Sequence, residues 1–134
     1  MDLYDIAPNL MVRDALDHGQ EFKCRYFGSK LVQVFGYDPT GKLLSEVYEP
    51  VSFEIARDRY KTGLTAREPI RVVGYVDLVD TIVPRTFEFI MLPLLGKIGV
   101  PEHILCSFDF SYEIDDDDFD PGCKPASWPG ISFP

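Results

Sequence analysis

The sequence predicts a single α+β domain, in which a five-stranded antiparallel sheet carries short helices and one longer helix on one face. Three observations lead to this fold class. The 134 residues are 46% hydrophobic and include ten Phe and seven Tyr, which is enough for one packed core. Five segments show strand-like patterning, two near the start of the chain and three in its second half. The segments between these two groups show helical spacing, so the helices are segregated from the strands.

The first two elements are predicted to be strands joined by a turn. Residues 10–12 are expected to form a short strand, and residues 17–20 the turn into a second strand over Glu21–Phe27. Alternate side chains of a regular strand point to the same side. The residues expected on the buried face of the second strand are Phe22, Cys24 and Tyr26.

Three helices are expected next. Ser29 is expected to cap a short helix that Gly36 closes, and residues 43–47 a second short one. The longest helix is expected over residues 50–62, because a proline suits the first turn of a helix and Gly63 suits its C-terminal end. The apolar stripe expected on it comprises Val51, Phe53, Ile55, Ala56 and Tyr60.

Three longer strands are expected over residues 70–78, 84–94 and 103–112. One face of these strands should pack beneath the long helix. The opposite, outer face mixes apolar side chains with charged ones, and such a face usually meets another surface. We therefore expect a homodimer through the outer face, formed by Val73, Tyr75, Ile90 and Leu92. In the competing arrangement, Leu3, Tyr4 and Ile6 fold back over these residues and keep the chain monomeric.

Four local strings, in this order and at compatible spacing, resemble PAS domains, and among them a branch of single PAS-like domains common in alphaproteobacteria. The strings are FKCRYFGS at 22–29, VFGYDPTGK at 34–42, YKTG at 60–63 with EPI at 68–70, and MLPL at 91–94. The match covers about residues 5–112. The resemblance implies a PAS fold, frequent dimerisation, a regulatory role and a small-ligand site between the sheet and the long helix.

The predicted helices and sheet would enclose an apolar cup, in which we expect a small apolar or carboxylate ligand. An arginine on the long helix or the next strand, pointing into the cup, could pair with a carboxylate. The arginines considered for this role are Arg57, Arg59, Arg67, Arg71 and Arg85. The residues expected to bind the ligand are Tyr26, Phe35, Phe53, Ala56, Arg57, Tyr60, Val72, Gly74, Phe89 and Phe108.

Charge and composition argue against several classes of partner. A formal net charge of −9 disfavours nucleic acid and anionic membranes, which bind through Lys and Arg. The sequence contains no spanning apolar stretch and no basic leader, so a cytoplasmic location is expected. The three cysteines lie far apart, which suggests neither a disulfide framework nor a metal site.

Other chemistry finds little support in the sequence. Residues 36–42 fit most of a phosphate-binding loop, but Leu43 replaces the required Ser or Thr. No histidine falls on the long helix as a haem ligand would, and no cysteine-bearing helix suits a flavin photosensor. We therefore expect no cofactor and no catalytic residues. The alternative is a small-molecule carrier or minor enzyme that uses the same cup, with Asp109 or Glu88 as base.

The chain is expected to divide into a PAS-like sensor domain over residues 1–114 and an acidic, Pro/Gly-rich tail over residues 115–134. No output domain is recognised after the last strand. The expected function is therefore that of a stand-alone sensory or regulatory domain. It would transmit its signal by associating with an unidentified signalling protein.

Overall fold

A computed structural model describes residues 3–76 and 85–110 of the chain. Within these ranges, the side chains of residues 3, 4, 74–76, 85 and 86 lie outside the described part. The predicted tail also lies outside it, so the boundary between domain and tail stays a prediction.

The five strands form one antiparallel sheet in the order β2-β1-β5-β4-β3. Their bounds are β1 Leu10–Leu16, β2 Glu21–Phe27, β3 Ile70–Val76, β4 Arg85–Leu95 and β5 Pro101–Asp109. The first and last strands of the chain are therefore neighbours at the centre of the sheet. The predicted fold class is confirmed.

One face of this sheet is covered by α2 Ser29–Phe35, α3 Leu44–Val47 and α4 Pro50–Thr65. A one-turn helix, α1 Leu3–Ile6, precedes the first strand, and two 3₁₀ turns span Ala7–Asn9 and Asp17–Gly19. The longest helix, α4, packs against β4 and β5. Between helices and sheet lies an aromatic core, where the rings of Phe89 and Phe108 stack with their centroids 4.6 Å apart.

The prediction that Tyr26 shares a face with Phe22 and Cys24 was wrong. The β1–β2 register shifts between Val12 and Arg13, so that Val12 pairs with Tyr26 but Arg13 with Cys24. The extra residue on β2 is a β-bulge, which interrupts the alternation of side chains. Tyr26 is consequently 40% exposed, and the following residue, Phe27, is buried in the core instead.

The long helix begins at Pro50 as predicted, but its C-terminal end and its buried stripe differ from the prediction. It continues through Gly63, which is buried against β4, and a Cβ atom there would lie 3.2 Å from Sδ of Met91. This glycine therefore permits close packing of helix and sheet rather than ending the helix. At the other end, Val51 is 67% exposed and does not belong to the buried stripe. The buried stripe consists of Ser52, Ala56, Arg59, Tyr60, Gly63 and Leu64.

Two further expectations on local structure are corrected. The first strand has seven residues rather than three, because β2 and β5 pair with it on both sides. Ser29 is the first residue of α2 and not its cap; the cap position belongs to Gly28, whose backbone N–H donates to the carbonyl of Leu10 at 2.8 Å. Gly36 closes the helix as predicted, in the left-handed conformation with φ 81°.

Candidate ligand-binding site

A small cavity lies between the sheet and the helices. About 10 Å³ of it is open to the centre of a water molecule, which is close to the space that a single water needs. The residues that line it are Met11, Arg13, Phe27, Phe35, Tyr37, Tyr48, Tyr60 and Phe108. They come from β1, β2, β5, α2, α4 and the connection around α3, so the site is a product of the tertiary fold.

Three of the ten residues predicted to bind a ligand line this cavity, namely Phe35, Tyr60 and Phe108. Another three are buried in the surrounding core without lining it, namely Ala56, Val72 and Phe89. Phe53 is half-buried and packs against that core. The side chain at position 74, Gly74, belongs to the part of β3 whose side chains are not described.

The remaining two predicted ligand residues lie away from the cavity. Tyr26 is on the other side of the sheet, where its hydroxyl donates to the carbonyl of Ala7 at 2.9 Å. Arg57 lies against its neighbours on the helix: its Nη2 is 3.2 Å from Oδ1 of Asp58, and its Cζ is 5.5 Å from the centre of the Phe53 ring. The arginine of the cavity is instead Arg13, which sequence reasoning missed.

Arg13 is buried because of its position on β1. It follows Met11 by two residues, so both side chains point to the inner face of a central strand. It pairs with Cys24 of β2 on one side and Ile104 of β5 on the other, both of which are fully buried. Only 2% of the Arg13 surface reaches solvent. The alternation after Leu10 could have revealed this position, had the strand been predicted at its full length.

The guanidinium of Arg13 has incomplete hydrogen bonding. Its Cζ lies 4.8 Å from the centre of the Tyr60 ring, a cation–π distance. Among the described residues, no acceptor lies within hydrogen-bonding distance of its Nε or Nη1, and no carboxylate forms an ion pair with it. Buried polar groups are normally hydrogen-bonded and buried charges paired, so this arginine is an exception.

The groups around Arg13 are neutral at physiological pH. Burial raises the pKa of Tyr60 to about 12, against the attraction of the guanidinium, and it also raises the pKa of Tyr37 and, strongly, that of Tyr48. The hydroxyls of Tyr37 and Tyr48 are hydrogen-bonded to each other. Burial opposes the charge of Arg13, but attraction to the phenolic groups of Tyr60 and Tyr48 holds its pKa above the ordinary value. The site is thus a permanent cation surrounded by phenols and aromatic rings.

The buried thiols near the site are unreactive. Burial raises the pKa of Cys106 to about 12 and also raises that of Cys24, although the charge of Arg13 opposes both shifts. Thiolates are the reactive form of cysteine, so neither group is a nucleophile at neutral pH. The described residues contain no group of three or more His, Cys, Asp or Glu side chains placed to hold one metal ion.

The two carboxylates considered as catalytic bases lie outside the cup. Glu88 and Asp109 are paired in register on β4 and β5, and they follow the alternation of the outer face. Oε2 of Glu88 accepts a hydrogen bond from Nε of Arg71 at 2.6 Å, and Asp109 is exposed. Neither can act on a molecule bound beside Arg13.

The outer face of the sheet is less open than expected. Ile90 is 39% exposed and Leu92 half-buried, but Val73 is only 4% exposed within the single chain. Val73 does not belong to the main core cluster. The side chain of Tyr75 lies outside the described part. Ile90 and Leu92 are therefore the predicted interface residues that the structure leaves accessible.

A second, open groove lies where β1 ends and β5 begins. It has a volume of about 530 Å³, and Asp14, Arg25 and His103 lie on its wall. Oδ1 of Asp14 is 2.7 Å from both Nε of Arg25 and Nδ1 of His103. Burial would raise the pKa of Asp14, but the hydrogen bonds and charges of Arg25 and His103 outweigh it and lower that pKa.

In the described ranges, no helix has the length and apolar character needed to cross a lipid bilayer. No protein-family model and no curated protein matches the sequence.

Solved structures do resemble this one. The PAS domain of Bordetella pertussis BvgS matches with a TM-score of 0.61 and 22% identity, over 82% of this chain and 83% of that one. The light-state structure of the LOV domain of the blue-light photoreceptor Aureochrome1 matches with a TM-score of 0.52 and 15% identity, over 86% and 88% of the two chains. The PAS domain of the histidine kinase ThkA matches with a TM-score of 0.50 and 16% identity, over 75% and 98%. At these identities the likeness concerns the fold alone, and together with the strand order it shows that this chain has the PAS fold.

Proposed function

We propose that this chain is a signal-sensing domain that binds a small ligand in the cavity between its sheet and its helices. The observation that carries the proposal is the state of Arg13. Nε and Nη1 of Arg13 have no acceptor among the described residues, and buried donors left without an acceptor destabilise the protein that holds them. A bound ligand that supplied an acceptor would remove this penalty. A ligand site would therefore explain why an arginine is buried at this position.

Two strands of the sheet connect the cavity with the outer face. Met11, Arg13 and Phe108 line the cavity from β1 and β5, the two central strands, whose opposite side is the outer face. A shift of these strands on binding would change the outer face, where Ile90 and Leu92 are accessible. We propose that a second copy of this chain, or a signalling protein, contacts that face.

Native mass spectrometry tests the binding function. The purified chain, incubated with a cellular extract of small molecules and then desalted, is measured under native and denaturing conditions. We expect a species in the native spectrum that is heavier than the denatured chain by the mass of one ligand. Equal masses in both spectra would contradict the proposal.

A matched pair of variants locates the retained molecule. Phe35→Leu alters the wall of the cavity, whereas Ile90→Leu alters the outer face by a similar, conservative amount. We expect Phe35→Leu to reduce the retained fraction and Ile90→Leu to leave it unchanged. The reverse result would place the ligand outside the cup.

A further inference from the structure

We propose that the ligand of the cup is a small monocarboxylate, whose carboxylate group accepts hydrogen bonds from the guanidinium of Arg13. This inference rests on the proposed ligand-binding function and names the chemical class of the ligand.

The buried charge of Arg13 favours an anionic ligand. Nε and Nη1 of Arg13 are buried N–H donors with no acceptor among the described residues. The polar neighbours of the cavity are the phenols Tyr37, Tyr48 and Tyr60, and burial raises the pKa of each, so they stay neutral at physiological pH. A neutral ligand would leave the positive charge uncompensated. An anionic ligand would compensate the charge and satisfy the donors together.

The charge of the cavity lining limits the charge that a ligand can carry. Arg13 is the only charged residue that lines the cavity in the described part of the chain. A carboxylate carries one negative charge, so its pair with Arg13 is neutral overall. A phosphate monoester or a dicarboxylate would bring a second negative charge into an apolar site without a partner, which is unfavourable. The site therefore favours a monoanion.

The uncharged lining residues determine which kind of group can follow the carboxylate of the ligand. Apart from Arg13 and the three phenols, the lining residues are Met11, Phe27, Phe35 and Phe108. These side chains offer an apolar environment for a short hydrocarbon body. The cavity of about 10 Å³ holds one water-sized group, so a ligand larger than that must displace side chains. Tyr37 is the most exposed of the lining residues, and it follows the left-handed Gly36.

A titration series tests the charge and the size of the ligand. The probes are acetate, butyrate and hexanoate, each matched with the neutral amide of the same chain length, and inorganic phosphate as a multiply charged anion. A ligand that binds only the folded chain raises its melting temperature by mass action. We expect at least one carboxylate to raise the melting temperature with saturation, while its amide and phosphate do not.

The variant Arg13→Met removes the charge while keeping an unbranched side chain. Since hydrogen bonds to charged groups are the strong ones, we expect the dissociation constant of that carboxylate to rise about tenfold to hundredfold. The matched control is Arg57→Met, which removes a guanidinium from α4 outside the cavity, and we expect it to bind within about twofold of the wild type. If Arg13→Met does not fold, the ¹⁵N–¹H signal of the Arg13 Nε–H in the wild-type chain replaces it, and we expect that signal to shift with the carboxylate and not with the amide.

Several results would overturn the inference. Equal binding of an amide and its carboxylate would show that charge is not selected, and the ligand-binding function would still stand. Loss of carboxylate binding in Arg57→Met but not in Arg13→Met would assign the anion to the surface of α4. Tighter binding of phosphate than of any carboxylate would show that the site selects another class of anion. No response to any of the three carboxylates would exclude short monocarboxylates as ligands. Only the mass spectrometry above decides whether the cup binds a ligand at all.

Discussion

Replacing Arg13 with methionine should stabilise the ligand-free protein. The substitution removes buried N–H donors that have no acceptor, each of which costs about 1–3 kcal/mol. It also removes the cation–π contact with Tyr60, worth about 2 kcal/mol at a buried site. Replacing a buried ion with an apolar side chain of similar volume is often stabilising by about 1–4 kcal/mol. We therefore expect Arg13→Met to raise the free energy of unfolding by about 1–4 kcal/mol.

Urea denaturation followed by circular dichroism measures this change, in buffer without carboxylates. Arg57→Met serves as the control, because that arginine is partly exposed and its ion pair with Asp58 lies at the surface. We expect the control to stay within about 0.5 kcal/mol of the wild type. A loss of stability in Arg13→Met, with an unchanged slope against urea, would refute the reasoning, because it would mean that the folded chain already satisfies the guanidinium.

Three further predictions concern the core, the acid limb of stability and the outer face. Phe89→Ala should lower the free energy of unfolding by about 3–5 kcal/mol in denaturant melts, because the ring is buried and stacks on Phe108; a near-neutral effect would invert the assigned sheet face. The pKa of Asp14 is lowered in the folded chain, so its contribution is present above its unfolded pKa and is lost as the pH falls through the folded one. In urea melts at decreasing pH, Asp14→Asn should therefore lose less stability than the wild type, and parallel curves would argue against the interaction with Arg25 and His103. In sedimentation equilibrium, the wild type should be a dimer and Ile90→Glu a monomer; a monomeric wild type rules out the dimer, and a dimeric variant rules out Ile90 as a contact.

The burial of side chains on β2 shows where sequence patterning stops being informative. Alternation placed Tyr26 inside, yet the bulge opposite Val12 and Arg13 turns Tyr26 outward and Phe27 inward. No residue type in β2 marks this bulge, because it depends on how two strands pair. The same holds for Gly63. A glycine is typical of a helix end, but here its close contact with Met91 lets α4 lie near the sheet.

The candidate site was predicted in part for a related reason. Large apolar residues such as Phe35, Tyr60 and Phe108 were identified because hydrophobic periodicity marks the buried side of an element. Arg13 escaped because charged residues are almost never fully buried without a partner, so a sequence search assigns them to the surface. Tyr37 and Tyr48 escaped because they lie in connections around α3, where no periodicity applies.

The sequence by itself determined the order of strands and helices, the segregation of the helices and hence the fold class, because these depend on local periodicity and turn residues that each segment carries. The tertiary structure alone decided which side chains meet. Pairing of β1 with both β2 and β5 turns Arg13 into the interior, and the helices then enclose it among three phenols. Arg13 becomes a candidate binding group because its burial leaves two of its donor atoms without an acceptor among the described residues, and the residues that bury it lie far apart in the chain.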